Sequence, residues 1–187
     1  GTSSEDSMAH PVDDADWDIG MLVLVVDSQE KKIASRIGME HTVQTSPFYP
    51  AWIETAREDL QAMKAAIAEK DFETLGRITE HNGFKMHATT LSANPPFTYW
   101  SADSLLAQEA VRQVREELQV PAYMTMDAGP NVKILCRASD MGRLRKALSI
   151  HFPAENIISS LPGPAAYVLS EADWQQSKMR LTEGNHV

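Results

Sequence analysis

Glycine is scarce and scattered in this chain: nine residues, with no two closer than seven positions. A loop that cradles a phosphate needs glycines close together, so that backbone amides can approach the anion. Neither Gly-x-x-x-x-Gly-Lys-Ser/Thr nor Gly-x-Gly-x-x-Gly occurs. Cysteine is scarcer still: Cys136 stands alone, which excludes an internal disulfide. With no signal-peptide pattern either, the expected compartment is the reducing cytoplasm. The six histidines include no His-x-x-x-His pair and no cysteine at zinc spacing. No apolar run approaches the ~20 residues that a membrane helix needs. Basic residues are outnumbered, 17 Lys and Arg against 26 Asp and Glu, for a net charge of −9. A nucleic-acid partner would want a basic stripe instead. Trp17, Trp52, Trp100 and Trp174 are too dispersed to form a stacking platform. No cofactor-binding and no metal-binding residue is therefore expected in this chain alone.

What is present is enough for one packed domain: 187 residues, 43% of them hydrophobic. Residues 1–18 carry Asp13, Asp14, Asp16 and Asp18 and read as a solvated acidic opening segment. The chain begins with Gly1 rather than Met, as expected of a sequence cut from a longer protein. Met21-Leu-Val-Leu-Val-Val26 is a short β-branched run, the pattern of a buried strand. Residues 27–44 are mixed and read as a strand end followed by an irregular functional loop.

From Thr45 the apolar period changes to that of a helix, through Ile53, Ala56, Leu60, Met63 and Ile67, with Thr45 or Ser46 available as cap. Asp71 is placed to cap a second helix carrying Phe72, Leu75, Ile78 and Met86. Asn94-Pro-Pro96 interrupts, because proline cannot continue a helix. A third helix follows with Ala107, Val111, Val114 and Leu118 on one face. Ala122–Met126 and Val132–Cys136 read as strands, and Met141, Leu144 and Leu148 as a fourth helix between Cys136 and a last strand at 165–169. Cys136 sits in an apolar run and reads as core packing. Residues 170–187 read as a polar, frayed tail. This order predicts an α+β fold, an antiparallel sheet of about four strands with helices packed on one face.

Asp127 is the most informative acid. It ends an apolar strand and opens the turn Ala128-Gly-Pro-Asn131. On the residues alone it reads as a turn former, since aspartate hydrogen-bonds its own turn backbone. The run Met124-Thr-Met-Asp-Ala-Gly-Pro-Asn-Val-Lys-Ile-Leu135, however, resembles the signature strand–turn–strand of diphosphomevalonate decarboxylases. Ala34-Ser-Arg-Ile-Gly-Met39, Thr45-Ser-Pro-Phe-Tyr49, Lys64–Phe72, Met86-His-Ala-Thr-Thr-Leu91 and Pro95-Pro-Phe-Thr-Tyr99 are similar in the same order. The resemblance runs from about Ser7 to Leu169.

That resemblance implies the C-terminal, substrate-binding half of a galactokinase/homoserine kinase/mevalonate kinase superfamily enzyme, over residues 19–169. It implies that Asp127 is the catalytic carboxylate facing the C3 hydroxyl of mevalonate diphosphate, with Ala128 lining the same pocket. It places Ser35 and Arg36 near the substrate diphosphate and Met39 on its apolar part. A guanidinium suits that task through planar, bidentate donors. His87 lies in a similar segment but carries no implied chemistry and reads as a structural histidine. The implied reaction uses ATP and Mg²⁺, held by an N-terminal half absent from this sequence, so the chain alone is expected not to turn over ATP. Homodimers are common in the family. Two alternatives remain: a related kinase that does not decarboxylate, and a non-catalytic binding or dimerisation module.

Overall fold

A computed structural model describes residues 3, 5, 10–14, 16–27, 33–163 and 167–183, with the backbone alone for 179–183. Two compact units are distinguished, one of residues 15–162 and one of 1–14 with 163–187.

The larger unit is built on four strands: β1 (Gly20–Leu24), β2 (Ala122–Thr125), β3 (Val132–Cys136) and β4 (Ile157–Ser160). They form one antiparallel sheet in the order β2-β3-β1-β4. The α+β class and the four-stranded sheet are as the sequence predicts. The fourth strand is not. It lies at Ile157–Ser160, whereas Tyr167–Leu169 form no strand and are exposed. Residues 165 and 166 of that expectation lie outside the described residues. Only Ile157 of β4 is buried, so this edge strand carries almost no apolar signal.

Alternation decides what each face of the sheet meets. Leu22, Leu24, Ala122, Met124, Val132, Ile134 and Cys136 point to one side and are buried there. Helix α4 (Ala102–Leu118) covers them with Ala107, Ala110, Val111 and Val114, and helix α5 (Met141–Leu148) with Leu144 and Leu148. The helices are not confined to that face. Leu135, Tyr123 and Met21 point the other way and pack with Ala66 of α2 (Tyr49–Ala68) and Phe72 and Leu75 of α3 (Phe72–Leu91). Leucine, tyrosine and methionine there make the second face apolar enough to need cover.

Asp71 caps α3 as the sequence predicts, accepting from the Thr74 amide at 3.1 Å. Helix α4 opens on a reciprocal Ser101–Ser104 capping box. Of residues 27–44, expected to run from a strand end into an irregular loop, 35–44 belong to helix α1 (Ser35–Thr45). Its N-cap, Ala34, makes no side-chain bond, so the sequence gives no start signal. Thr45 therefore ends a helix rather than capping α2. In the smaller unit, the expected frayed tail holds helix α6 (Glu171–Glu183). Ser170 opens it, its Oγ accepting from the Asp173 amide at 3.2 Å. Among the described residues no helix is long and apolar enough to cross a membrane.

Helix α3 follows the edge strand β2 closely. Gly76, Glu80, Gly83 and His87 recur at steps of three and four, hence on one helix face. A Cβ at Gly76 would collide with the Tyr123 ring, and one at Gly83 would come within 2.7 Å of Thr125 Oγ1. Between them Glu80 Oε2 accepts from the Met124 amide at 2.8 Å. Arg115 of α4 donates to both Glu80 oxygens at 3.2 Å and to the Ala122 carbonyl at 3.1 Å. The open edge of β2 is thus closed by side chains.

Candidate active site

Asp127 leaves the end of β2 and begins the turn to β3. Three groups hold that turn. The Gly129 amide donates to the Asp127 carbonyl at 2.7 Å. Ser104 Oγ, in the first turn of α4, donates to the Pro130 carbonyl at 2.7 Å. Asn131 Oδ1 accepts from the amides of Val26 and Asp27 at 2.9 and 3.1 Å, tying the turn to the end of β1. A polar loop held at both ends to buried elements presents its side chain in a defined direction.

The Asp127 side chain is 72% exposed and pairs with Lys133 Nζ, 2.5 Å from its Oδ1. Lys133 and Thr125 are cross-strand partners, so the lysine stem rises on the Thr125 side and reaches past the strand end. Asp127 also lines an open cavity of about 560 Å³ between α2 and α3. Trp52, Leu60, Met63, Ile78 and Met86 give it an apolar wall. Asp59 supplies a polar corner, bonded to Lys85 at 2.6 Å and Asn82 at 2.7 Å. Burial pushes the Asp59 carboxyl up, but those two donors outweigh it and hold it below the ordinary carboxylate range.

Ser35, Arg36 and Met39 lie on α1. Arg36 is exposed, while Ser35 and Met39 are half-buried. None of the three lines the cavity that Asp127 enters. The two groups are joined through the loop after α3. Gly38 packs so closely on Phe97 and Tyr99 that a side chain there would strike the Tyr99 hydroxyl. His41 Nε2 meets the Pro95 carbonyl at 2.9 Å, and Thr45 Oγ1 accepts from the Asn94 amide at 3.0 Å. This loop runs directly into the Ser101 cap of α4, whose Ser104 holds the Asp127 turn. Ala128 is half-buried beside Asp127.

His87 is completely buried. Its Nε2 lies 3.3 Å from the Met126 carbonyl, and its ring lies 4.8 Å from that of Trp100. Burial lowers its pKa below the ordinary imidazole value. Cys136 is buried in the core, where burial pushes its thiol up to about 11. That agrees with a packing role. Among the described residues no group of three or more His, Cys, Asp or Glu could hold a metal ion.

The family model of the mevalonate 5-diphosphate decarboxylase C-terminal domain matches residues 21–183. This chain belongs to that family. The diphosphomevalonate decarboxylase of Candida albicans is 33% identical over 132 residues, covering 70% of this chain and 36% of the relative. A solved mevalonate diphosphate decarboxylase from Enterococcus faecalis, studied for ATP binding mediated by mevalonate diphosphate, is 43% identical with a TM-score of 0.76. The match covers 84% of this chain and 47% of that one. Another, described as MDDEF in complex with MVAPP, AMPPCP and magnesium, is 44% identical with a TM-score of 0.78. It covers 84% of this chain and 48% of the other. The chain thus spans between about a third and a half of the length of these relatives.

Sequence reasoning singled out Asp127 but missed the groups around it. Lys133 had a signal: a lone cation in the apolar run Val132–Cys136, two positions beyond a turn. Asn131 and Ser104 had none, because each bonds a backbone group distant in sequence, and His87 reads in the sequence as a structural histidine, without its partner at Met126.

Proposed function

We propose that this chain is the substrate-binding, carboxylate-bearing half of an ATP-dependent diphosphomevalonate decarboxylase of the cytoplasmic isoprenoid pathway. Its partners in that reading are mevalonate diphosphate, an N-terminal half and a second copy of the chain. The overall reaction converts mevalonate diphosphate and ATP into isopentenyl diphosphate, carbon dioxide, phosphate and ADP. A related solved structure contains AMPPCP and magnesium. The described residues of this chain offer no group of three metal ligands, and its sequence has no phosphate-cradling glycine loop. This reading leaves nucleotide and metal to the N-terminal half.

The observation that carries the reading is Asp127 itself: an exposed carboxylate on a turn clamped to α4 and β1, opening on a cavity. A carboxylate held there accepts the proton of the substrate C3 hydroxyl, or orients that hydroxyl. Negative charge beside the developing alkoxide makes the oxygen a better nucleophile. Once that oxygen has become a good leaving group, its departure and the loss of carbon dioxide form the double bond. Arg36, exposed in the first turn of α1, suits the diphosphate through paired N–H donors, with the Ser35 hydroxyl beside it. Ala128 adjoins the reacting carbon, and Met39 faces the apolar stretch of the substrate.

Asp127→Asn in a full-length enzyme carrying this domain tests the reading. The amide keeps the turn bonds but cannot take a proton. Positioned general bases contribute about 10²–10⁴-fold, so kcat should fall by that factor with KM little changed. A variant with near-normal kcat leaves Asp127 as a turn residue and ends the proposal. Carbon dioxide release separates this reading from a kinase that stops at phosphorylation.

A further inference from the structure

Helix α3 meets β2 and the residue after it at successive positions: Gly76 at Tyr123, Glu80 at Met124, Gly83 at Thr125 and His87 at Met126. His87 is the last of the four, and its partner is the carbonyl directly before Asp127. That carbonyl and the Asp127 amide belong to one planar peptide. Holding the oxygen therefore orients the plane from which the Asp127 side chain departs. We propose that His87 is a positioning residue for Asp127, its Nε2–H holding the Met126 carbonyl so that the neighbouring carboxylate keeps its direction. The inference rests on the reading of Asp127 given above.

Several independent observations support it. A carbonyl only accepts, so Nε2 must carry the hydrogen. Nδ1 is buried with no partner among the described residues, so none of them would accept a second proton. Burial favours the same neutral ring and outweighs the Met126 hydrogen bond and the Asp127 charge, which both pull toward protonation, while Lys133 opposes it. Trp100, ring to ring at 4.8 Å, limits how the imidazole can turn. Met126 is itself immobilised, 3% exposed, with its sulfur 3.5 Å from Gln108 Nε2. On the far side of the turn Ser104 holds the Pro130 carbonyl. Helices α3 and α4 thus each grip one carbonyl flanking Asp127. A histidine that only filled space would not need a donor aimed at this one peptide.

The test compares His87→Phe, His87→Gln and Asp127→Asn, singly and combined, in a full-length enzyme carrying this domain. His87→Phe keeps the bulk and removes the donor. Its kcat should fall by about 10- to 100-fold, the scale on which a misplacement of about 1 Å is felt. KM should stay within about twofold, because the substrate is still bound. His87→Gln places an amide N–H near the Nε2 position and should restore most of the rate. The double variant His87→Phe/Asp127→Asn should be no slower than Asp127→Asn alone.

A crippled Asp127→Asn beside an unimpaired His87→Phe overturns the inference and spares the carboxylate. So does a His87 effect that multiplies fully onto Asp127→Asn, or a glutamine no better than phenylalanine. A normal Asp127→Asn removes both readings together. If His87→Phe fails to fold, His87→Asn replaces it, being too short to reach Met126, and the comparison with glutamine stands. Ring ¹⁵N spectra of the unsubstituted chain give a further check. They should show a neutral, Nε2-protonated imidazole, and an Nδ1-protonated one overturns the proposal.

Discussion

Replacing Glu80 with alanine should loosen the edge of the sheet on which the site depends. Glu80 Oε2 is the acceptor for the Met124 amide at 2.8 Å, and Met124 is fully buried. A buried amide deprived of its acceptor costs about 1–3 kcal/mol. The same carboxylate pairs with Arg115 at 3.2 Å, with the two side chains 21% and 28% exposed. A pair with that much solvent contact adds up to about 1 kcal/mol. The expected loss for Glu80→Ala is thus about 1–4 kcal/mol. At this chain length about 1 kcal/mol moves Tm by roughly 2–4 °C, so Tm should fall by roughly 2–16 °C. Glu80→Gln keeps an acceptor for Met124 and gives up only the charge, so its loss should stay near 1 kcal/mol. Urea unfolding of the three proteins, with Arg115→Ala completing a double-mutant cycle, measures each part. A Glu80→Ala protein within about 0.5 kcal/mol of the parent, the range of an ordinary surface change, would show that the edge amide finds another acceptor.

Arg36→Ala in a full-length enzyme should raise KM by about 10- to 150-fold, since a charge-assisted hydrogen bond contributes roughly 1.5–3 kcal/mol; an unchanged KM removes Arg36 from the diphosphate site. Folded His87 resists protonation, its pKa lowered from 6.5 mainly by burial. The unfolded chain therefore binds the extra proton first, and stability should fall as pH drops below 6.5, by at most about 1.4 kcal/mol per pH unit. His87→Gln should lack this part of the acid slope in urea titrations, and an identical slope refutes the assignment. Cys136, with its thiol pushed up to about 11 by burial, should react with iodoacetamide at pH 8 only in denaturant; rapid native labelling would contradict its place in the core.

Much of this architecture was legible because the signals were local. Asp71 announces a helix by its own side chain, and Val132–Cys136 and Ala122–Met126 announce strands by β-branched and apolar alternation. Asp127 was visible from its position between a strand and a turn. Helix α1 was not, because Ala34 gives no cap and two of its buried positions are Gly38 and Thr42, which break the apolar period. Strand β4 is half serine and is held by pairing with β1 rather than by burial. The second covered face was hidden because Tyr123 and Leu135 look like ordinary strand residues until α3 is placed against them. The grip on the Asp127 turn depends on contacts such as Asn131 to Val26, 105 positions apart, and no spacing rule anticipates those.

The two glycines of α3 act as a gauge. They lie seven residues apart, about 10 Å along the helix axis, and each marks a place where strand and helix nearly touch. The helix can settle on β2 at one setting only, because a shift of a single turn would drive a larger side chain into Tyr123 or Thr125. The height of the His87 ring above the strand end is set by that fit. A methyl group added at Gly76 would thus be felt about three turns away, at a carboxylate it never approaches. The aim of the Asp127 side chain is decided by where two side chains are missing.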